Sequence, residues 1–466
     1  MTATILDRKH TALMLAVVFI ATFMDGLDGS IVSVALPVIG EDLGVDTATS
    51  SWVTIIYLMV LAGTLVMFAR IAADTGVRKV MAVGLGIFTI SSLFCGLSTS
   101  FPMIIACRTV QAVGAAMMGA AGPMCCTEHL PRERLAFGLS VVTIGSSLGY
   151  ALGPALGGAI VEFATWHWIF LINIPIGLIT APMMLKAVPK SSEKGGKARL
   201  DKVGVVLLFT AIALGTFAVE TLSYSDMRLW SAVTGAVCIV SLALFVKWER
   251  KVENPLLQLR MFARWDFSAI FLCMMLINVA YMGMIYLTPF FGRTCADMSS
   301  LTIGLFLLEA AAITGILSMP ISKWSDMKGR RPFCVAAGLC TALAFALFAV
   351  FADRMTPLIL FLIMIPQGLG WAFTGGPMAS RLVEHAGEDR DMASSLTNEA
   401  YFIGGAVGTA LAAMVFTMFS HSDGVGIGDV SREVFLDGFV PAAATFAGIA
   451  VLLTVISFIV KDKKSE

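Results

Sequence analysis

The chain has 466 residues, 58% of them hydrophobic and 14% charged, with a mean hydropathy of +0.86. That composition excludes a soluble globular protein and implies an integral membrane one. A formal net charge of zero and a pI of about 6.9 exclude the basic footprint of a nucleic-acid binder, so no nucleic acid is expected as a partner.

In chain order, apolar runs of about 20 residues, each long enough to cross a bilayer, fall at 12–36, 50–70, 80–98, 103–126, 136–159, 167–186, 203–222, 230–248, 267–291, 302–322, 332–351, 357–380, 394–418 and 438–460. The basic start (Arg8, Lys9) runs into a full-length span rather than a short cleavable core, so no signal peptide is expected. Lys and Arg alternate in density between successive loops. With the N-terminus inside, inner segments hold 27 and outer segments four (Arg228, Arg293, Arg354, Arg432), with Arg108 inside a span. By the positive-inside rule both termini are expected in the cytoplasm.

Four short matches recur in the same order. Asp74-x-x-x-Arg78-Lys79 returns as Asp326-x-x-x-Arg330-Arg331 and Pro37 as Pro289, both at an offset of 252. Gln111-x-x-Gly114 returns as Gln367-x-x-Gly370 at 256, and Gly149-x-x-x-Gly153 as Gly404-x-x-x-Gly408 at 255. A near-constant offset marks an internal repeat. It leaves room for two inserted spans and gives three expected units: a six-helix bundle over 1–190, a linker with two inserted helices over 191–262, and a second six-helix bundle over 263–466. The polar stretch Lys186–Lys202 reads as a cytoplasmic linker attracted to anionic lipid.

Gly149, Gly153 and Gly157 recur every four residues and line one narrow helix face, where a neighbouring backbone approaches closely. Pro154 removes a backbone donor beside that face. The competing reading is a plain packing helix. The fuller string Gly149-x-x-x-Gly153-Pro154-x-x-Gly157-Gly158 resembles the fifth-helix antiporter motif of drug–proton exporters of the major facilitator superfamily. The first span, Leu27-Asp28-Gly29-Ser30-Ile31-Val32-Ser33-Val34-Ala35-Leu36-Pro37, resembles L-D-x-T-I-V-N-V-A-L-P of that superfamily's fourteen-helix group, with Ser30 and Ser33 for Thr and Asn. Trp168-Ile169-Phe170-Leu171-Ile172-Asn173-Ile174-Pro175-Ile176-Gly177 resembles W-I-F-x-I-N-x-P-x-G, and Arg108 to Ala116 resembles R-x-x-Q-G-x-G-A-A with Ala112 for the first Gly. The loop after the second span resembles G-x-L-A-D-x-x-G-R-K, with Arg70 and Val77 in the two Gly places and Gly76 one place early.

The resemblance implies an all-α integral membrane protein with the major facilitator fold, fourteen spans in two six-helix bundles plus two inserted helices. It implies a multi-pass, non-enzymatic transporter in the cytoplasmic membrane: a proton-coupled multidrug antiporter of lipophilic, cationic compounds that works by alternating access and confers antibiotic resistance. A monomer in contact with membrane lipid is expected. Same-fold export of a narrow metabolite or lipid is the alternative, and a non-transporting receptor or scaffold a further one that the short tails weigh against.

Charges inside a membrane are expensive and therefore functional candidates. Asp28 and Arg108 lie at similar depth and are able to face each other; Asp25 is one turn below Asp28. A carboxylate in an apolar cavity is favoured protonated by desolvation and ionised by a nearby cation, so proton and cationic drug compete for it. Proton coupling is therefore expected at Asp28, Arg108, Glu309 and Asp25, and substrate binding at Asp28, Glu309, Glu399 and Gln111. The competing readings are a buried ion pair that fixes packing for Asp28 and Arg108, and a water-facing side chain for Glu309. The hinge is expected at Gly149, Gly153, Pro154, Gly157 and Gly158. Asp74, Arg78, Lys79, Asp326, Arg330 and Arg331 are expected to form a cytoplasmic latch, against a reading as plain positive-inside charge. No Cys/His spacing suits a metal, no phosphate-binding loop occurs, and no cofactor is expected.

Overall fold

A computed structural model describes residues 8–45, 47–50, 52–189, 201–221, 227–252, 255–296, 298, 300–387, 390–420 and 430–460. Both terminal tails and most of the polar linker, residues 190–200, lie outside the described residues, as do the side chains of Ser33 and Pro37. Among the described residues the chain is helical, and fourteen helices are long and apolar enough to cross a membrane. They are α1 Arg8–Asp42, α2 Trp52–Thr75, α3 Val77–Gly96, α4 Phe101–His129, α5 Leu135–Phe163, α6 (Trp168–Leu171 and Asn173–Ala187), α7 Lys202–Thr221, α8 Arg228–Glu249, α9 Trp265–Ala296, α10 Ser300–Lys328, α11 Arg331–Phe351, α12 Pro357–His385, α13 Arg390–Ser420 and α14 Arg432–Ile459. Helix is the form such segments must take, because in lipid each backbone N–H and C=O has to be satisfied within its own segment.

Breaks in the helices have local causes. In α6 the backbone at Ile172 keeps helical dihedrals (φ −58, ψ −27), but the hydrogen-bond ladder lapses there. Pro175 has no N–H to give to the Leu171 carbonyl four residues back. Between α2 and α3, and between α10 and α11, the chain turns at Gly76 (φ 100) and Gly329 (φ 90), a region that glycine enters without strain. The one-place shift of Gly76 is thus a shorter turn: α3 begins directly after Gly76, whereas Gly329 and Arg330 separate α10 from α11.

The two halves repeat the same packing. In the first, α5 lies along α1, and in the second α13 lies along α9. Across the halves α5 meets α10 and α12, while α13 meets α4 and α2. The inserted pair α7 and α8 packs on itself and, through α7, on α2 and α13. Only 22% of the α7 span and 17% of the α8 span are buried, against 67% for α2, so the pair is a peripheral hairpin.

Both glycine seams are made of backbone contact. A methyl group added at Gly149 would stand 2.5 Å from the Phe23 carbonyl oxygen and 2.6 Å from the Leu27 amide nitrogen. One at Gly157 would stand 2.6 Å from the Ile31 carbonyl oxygen, and one at Gly153 would collide with the Ser30 hydroxyl. Gly404 and Gly408 meet the α9 backbone at Met275 and Val279 in the same way. Pro154 is exposed, to one side of the seam, and Gly158 has only Val34 nearby at 3.9 Å.

Candidate functional site

A buried polar cluster occupies the core of the first bundle. Arg108 and Gln111 are three residues apart on α4 and so share a face; both are 0% exposed, as is Asp28 on α1. Arg108 Nη1 donates to Asp28 Oδ2 at 2.5 Å and to Gln111 Oε1 at 2.8 Å. Gln111 Nε2 donates to Asp28 Oδ1 at 2.9 Å and to Ser92 Oγ on α3 at 2.8 Å. Asn173 of α6 adds a third donor to Asp28, at 3.1 Å. Arg108 Nε donates to the Val53 carbonyl at 3.1 Å, and the guanidinium lies 4.0 Å over the Tyr57 ring of α2. Five helices are therefore tied to one ion pair. Burying both charges is tolerable only because each is met by further hydrogen bonds.

Tyr57 links this cluster to a second space. Its hydroxyl donates to Asp25 Oδ1 at 2.8 Å, and Asp25 lines a cavity of about 60 Å³ between the two halves. The walls come from α5 (Thr143, Ser146, Ser147, Tyr150), α9 (Asn278), α12 (Trp371, Thr374) and α13 (Asn398, Tyr401, Phe402). The Tyr150 and Tyr401 rings are 5.7 Å apart, Trp371 is 6.0 Å from Tyr401, and Tyr281 stacks on Trp371 at 4.2 Å. Asp25 is the one acidic side chain among the lining residues.

Hydrogen bonds across the halves close the space on the side that carries Arg78 and Arg330. Trp371 Nε1 donates to Ser147 Oγ at 2.7 Å. Pro123 cannot give an N–H to the Gly119 carbonyl, and Asn398 of α13 supplies a donor to that oxygen instead, at 2.7 Å. Ser395 donates to the Ala120 carbonyl at 3.0 Å and Thr127 to Asp391 at 2.9 Å.

The two loop copies are built differently. In the second, Arg330 bridges Asp326 (2.9 Å) and Glu384 of α12, and the amides of Ala136 and Phe137 at the start of α5 point at the Asp326 carboxylate. The Asp326 contact with α5 crosses between the halves, while the Arg330 pairs stay within the second half. Arg331 instead holds the end of α14, donating to the Phe458 carbonyl. In the first copy Asp74 pairs with Arg70 at 3.3 Å, within α2, and Arg78 donates to the Leu185 carbonyl at 2.6 Å. Lys79 is exposed. The shorter turn at Gly76 puts Arg78 inside α3, where it reaches α6 and not Asp74.

Of the expected substrate residues, none of Asp28, Gln111, Glu309 and Glu399 lines the central cavity. Gln111 shares Arg108's face and is consumed by the ion pair. Glu309 neighbours Ala310, whose carbonyl packs on Gly368 of α12 (2.8 Å from an added Cβ), and both its carboxylate oxygens are buried with no hydrogen-bond partner among the described residues. Glu399 occupies a different face of α13 from Asn398, Tyr401 and Phe402. Tyr57, Tyr150, Trp371, Tyr401 and Asn398 are not among the expected site residues, and Asn173 is read in the sequence only as part of a resembling motif. A usable signal existed: the chain has six Tyr, and Tyr57, Tyr150, Tyr281 and Tyr401 all lie inside spans, away from the interfaces where Tyr gathers in membranes.

The sequence profile of the Major Facilitator Superfamily matches residues 18–409. A putative multidrug resistance protein, MdtD, of Salmonella paratyphi B is 30% identical over 364 residues, 77% of this chain and 76% of that protein. An uncharacterized MFS-type transporter of Mycobacterium tuberculosis, Rv1250, is also 30% identical, over 76% of this chain and 62% of its own length. The crystal structure of the human organic anion transporter MFSD10 superposes with a TM-score of 0.67 at 17% identity, covering 96% of this chain and 99% of that one, a likeness of fold alone. Fourteen apolar helices in a repeated arrangement, a profile match over most of the length and relatives of this kind lead to one assignment: the chain belongs to the major facilitator superfamily, as a multi-pass membrane transporter related to multidrug resistance proteins and not an enzyme.

Proposed function

We propose that the protein exports lipophilic organic cations across the cytoplasmic membrane in exchange for protons, by alternating access about the central cavity. The observation that carries this reading is the position of Asp25, a lone carboxylate in an aromatic-walled cavity, tied through Tyr57 to the buried Asp28–Arg108 pair. Aromatic faces attract organic cations, and the carboxylate binds either the cation or a proton. A change in its charge is felt at Tyr57 and hence at the ion pair that ties α1, α2, α3, α4 and α6. The glycine seam between α1 and α5 lets that change become a relative movement of the two helices. The alternation of Lys and Arg supports cytoplasmic termini, and the 30% identical putative multidrug resistance protein supports drugs as the cargo.

The test uses inside-out vesicles carrying an energised proton gradient. Adding tetraphenylphosphonium collapses the gradient in vesicles with the native protein and leaves it standing with Asp25→Asn. A gradient that survives the cation in both, with native protein shown to be present and folded, overturns the antiport reading.

A further inference from the structure

A second, larger cavity of about 670 Å³ lies outside the central one, between the inserted hairpin and the core. Its walls are Leu208 and Ile212 of α7, Leu242 and Phe245 of α8, Phe271 of α9 and Ile403 of α13. A cavity of this size is in the range that holds a small ligand. Its lining is apolar except at a few places, of which two carry charge: Arg250 and Glu399. Arg250 caps the end of α8 and is exposed, at the rim. Glu399 is 3% exposed, and both its carboxylate oxygens are buried with no hydrogen-bond partner among the described residues. It lies nine residues into α13, about 13 Å from the start of that helix at ~1.5 Å per residue.

An unpartnered buried carboxylate is costly unless something meets it. Nothing among the described residues does, although Asp28, with the same chemistry, is given three donors. A water, a proton or a cation from outside the chain is then the remaining partner, and of these only a proton or a cation meets the charge itself. An inorganic cation would find only the Thr216 hydroxyl as a further side-chain oxygen in so apolar a lining, short of the roughly six or more that such ions take. The surroundings fit a cation carried on an apolar body, and the cavity lies against a hairpin that is largely exposed at the level of the spans.

We propose that this lateral cavity is a second binding site, occupied by an organic monocation with an apolar body, the charge set against Glu399 and the body among the α7, α8 and α13 side chains. The inserted hairpin then has a role, as the outer wall of a site that the two six-helix bundles alone would leave open. Helix α13 is the partition between the two spaces: Asn398, Tyr401 and Phe402 face the central cavity, and Leu396, Glu399 and Ile403 the lateral one. That both sites take cargo of one class rests on the function proposed above; the existence of the lateral site does not.

The experiment is photo-crosslinking of a diazirine-bearing alkyl trimethylammonium to the protein in phosphatidylcholine nanodiscs, with labelled peptides mapped by mass spectrometry and competed by dodecyltrimethylammonium. Competable labelling of the peptides holding Cys238, Phe245 and Ile403 is expected in the native protein, and a fall of about tenfold in Glu399→Gln, the loss of one coulombic contact. Labelling at Tyr150 and Trp371 persists in Glu399→Gln, which shows that the variant is folded. Asp25→Asn gives the reverse pattern, so failure of the central site and failure of the lateral one are told apart. The proposal is overturned if the α7, α8 and α13 peptides show no competable label, or if Glu399→Gln labels them as native protein does. Glu399→Asp, which keeps the charge, is expected to restore a part of the labelling.

Discussion

The seam between α1 and α5 makes a prediction that can be worked through in ångströms. At Gly149 an added methyl would meet the Phe23 carbonyl oxygen at 2.5 Å and the Leu27 amide nitrogen at 2.6 Å, where ordinary contact begins near 3.4 Å. Both obstacles are backbone atoms of a helix and have no rotamer to move to, so Gly149→Ala must push the helices apart by roughly 1 Å locally. Overpacking of that kind costs about 1–3 kcal/mol. Against it stands the helix preference of Ala over Gly, about 1 kcal/mol. The same substitution at Gly158 meets only Val34 at 3.9 Å and keeps the helix gain without the collision. Purified variants melted in detergent, followed by a thiol-reactive dye, should therefore split: Gly158→Ala at or slightly above the native melting temperature, Gly149→Ala below it. Transport should fall in Gly149→Ala alone. Two variants that melt and transport alike would refute the reading of this face as a close-contact seam.

The other predictions follow from burial and pairing. Asp28→Asn leaves the fully buried Arg108 guanidinium without its counter-charge and should cost about 3–5 kcal/mol. Adding Arg108→Met should recover part of that loss in the same melting assay; no recovery would mean that the pair is not the source of the cost. The two loop copies should differ. Arg330→Met leaves the Asp326 and Glu384 carboxylates near one another without the cation between them and is expected to cost roughly 3 kcal/mol. Arg78→Met loses a partly exposed contact with a carbonyl and should cost no more than about 1 kcal/mol. Equal effects at the two arginines would remove the distinction between a latch and a surface contact.

Much of the fold was legible because the membrane restricts the choices. Span length, Lys and Arg alternation and the repeat offset led to fourteen helices in two related halves plus an insert, and fourteen spanning helices are present among the described residues. The meeting of Asp28 with Arg108 could be read from depth alone. Which space each side chain meets could not: Asp25 and Asp28 lie a turn apart on one side of α1, yet only Asp25 reaches the cavity. Glu399 was missed through rotation instead: next to Asn398 in sequence, it is turned toward another space. The shortened loop at Gly76 shows how a one-residue difference, plain in the sequence, redirects Arg78 from a carboxylate to the Leu185 carbonyl. Tyr57 was invisible as a connector because its role depends on two residues from other helices.

Competition between proton and cation at Asp25 is most directly tested by proton release. Tetraphenylphosphonium is added to the purified protein in weakly buffered detergent solution, and the pH change is read with an indicator dye alongside binding by calorimetry. We predict release of about one proton per bound cation from the native protein, as expected for two charges competing for one carboxylate, and none from Asp25→Asn. Binding without release by the native protein, or undiminished release from Asp25→Asn, would contradict the assignment of that carboxylate as the shared site.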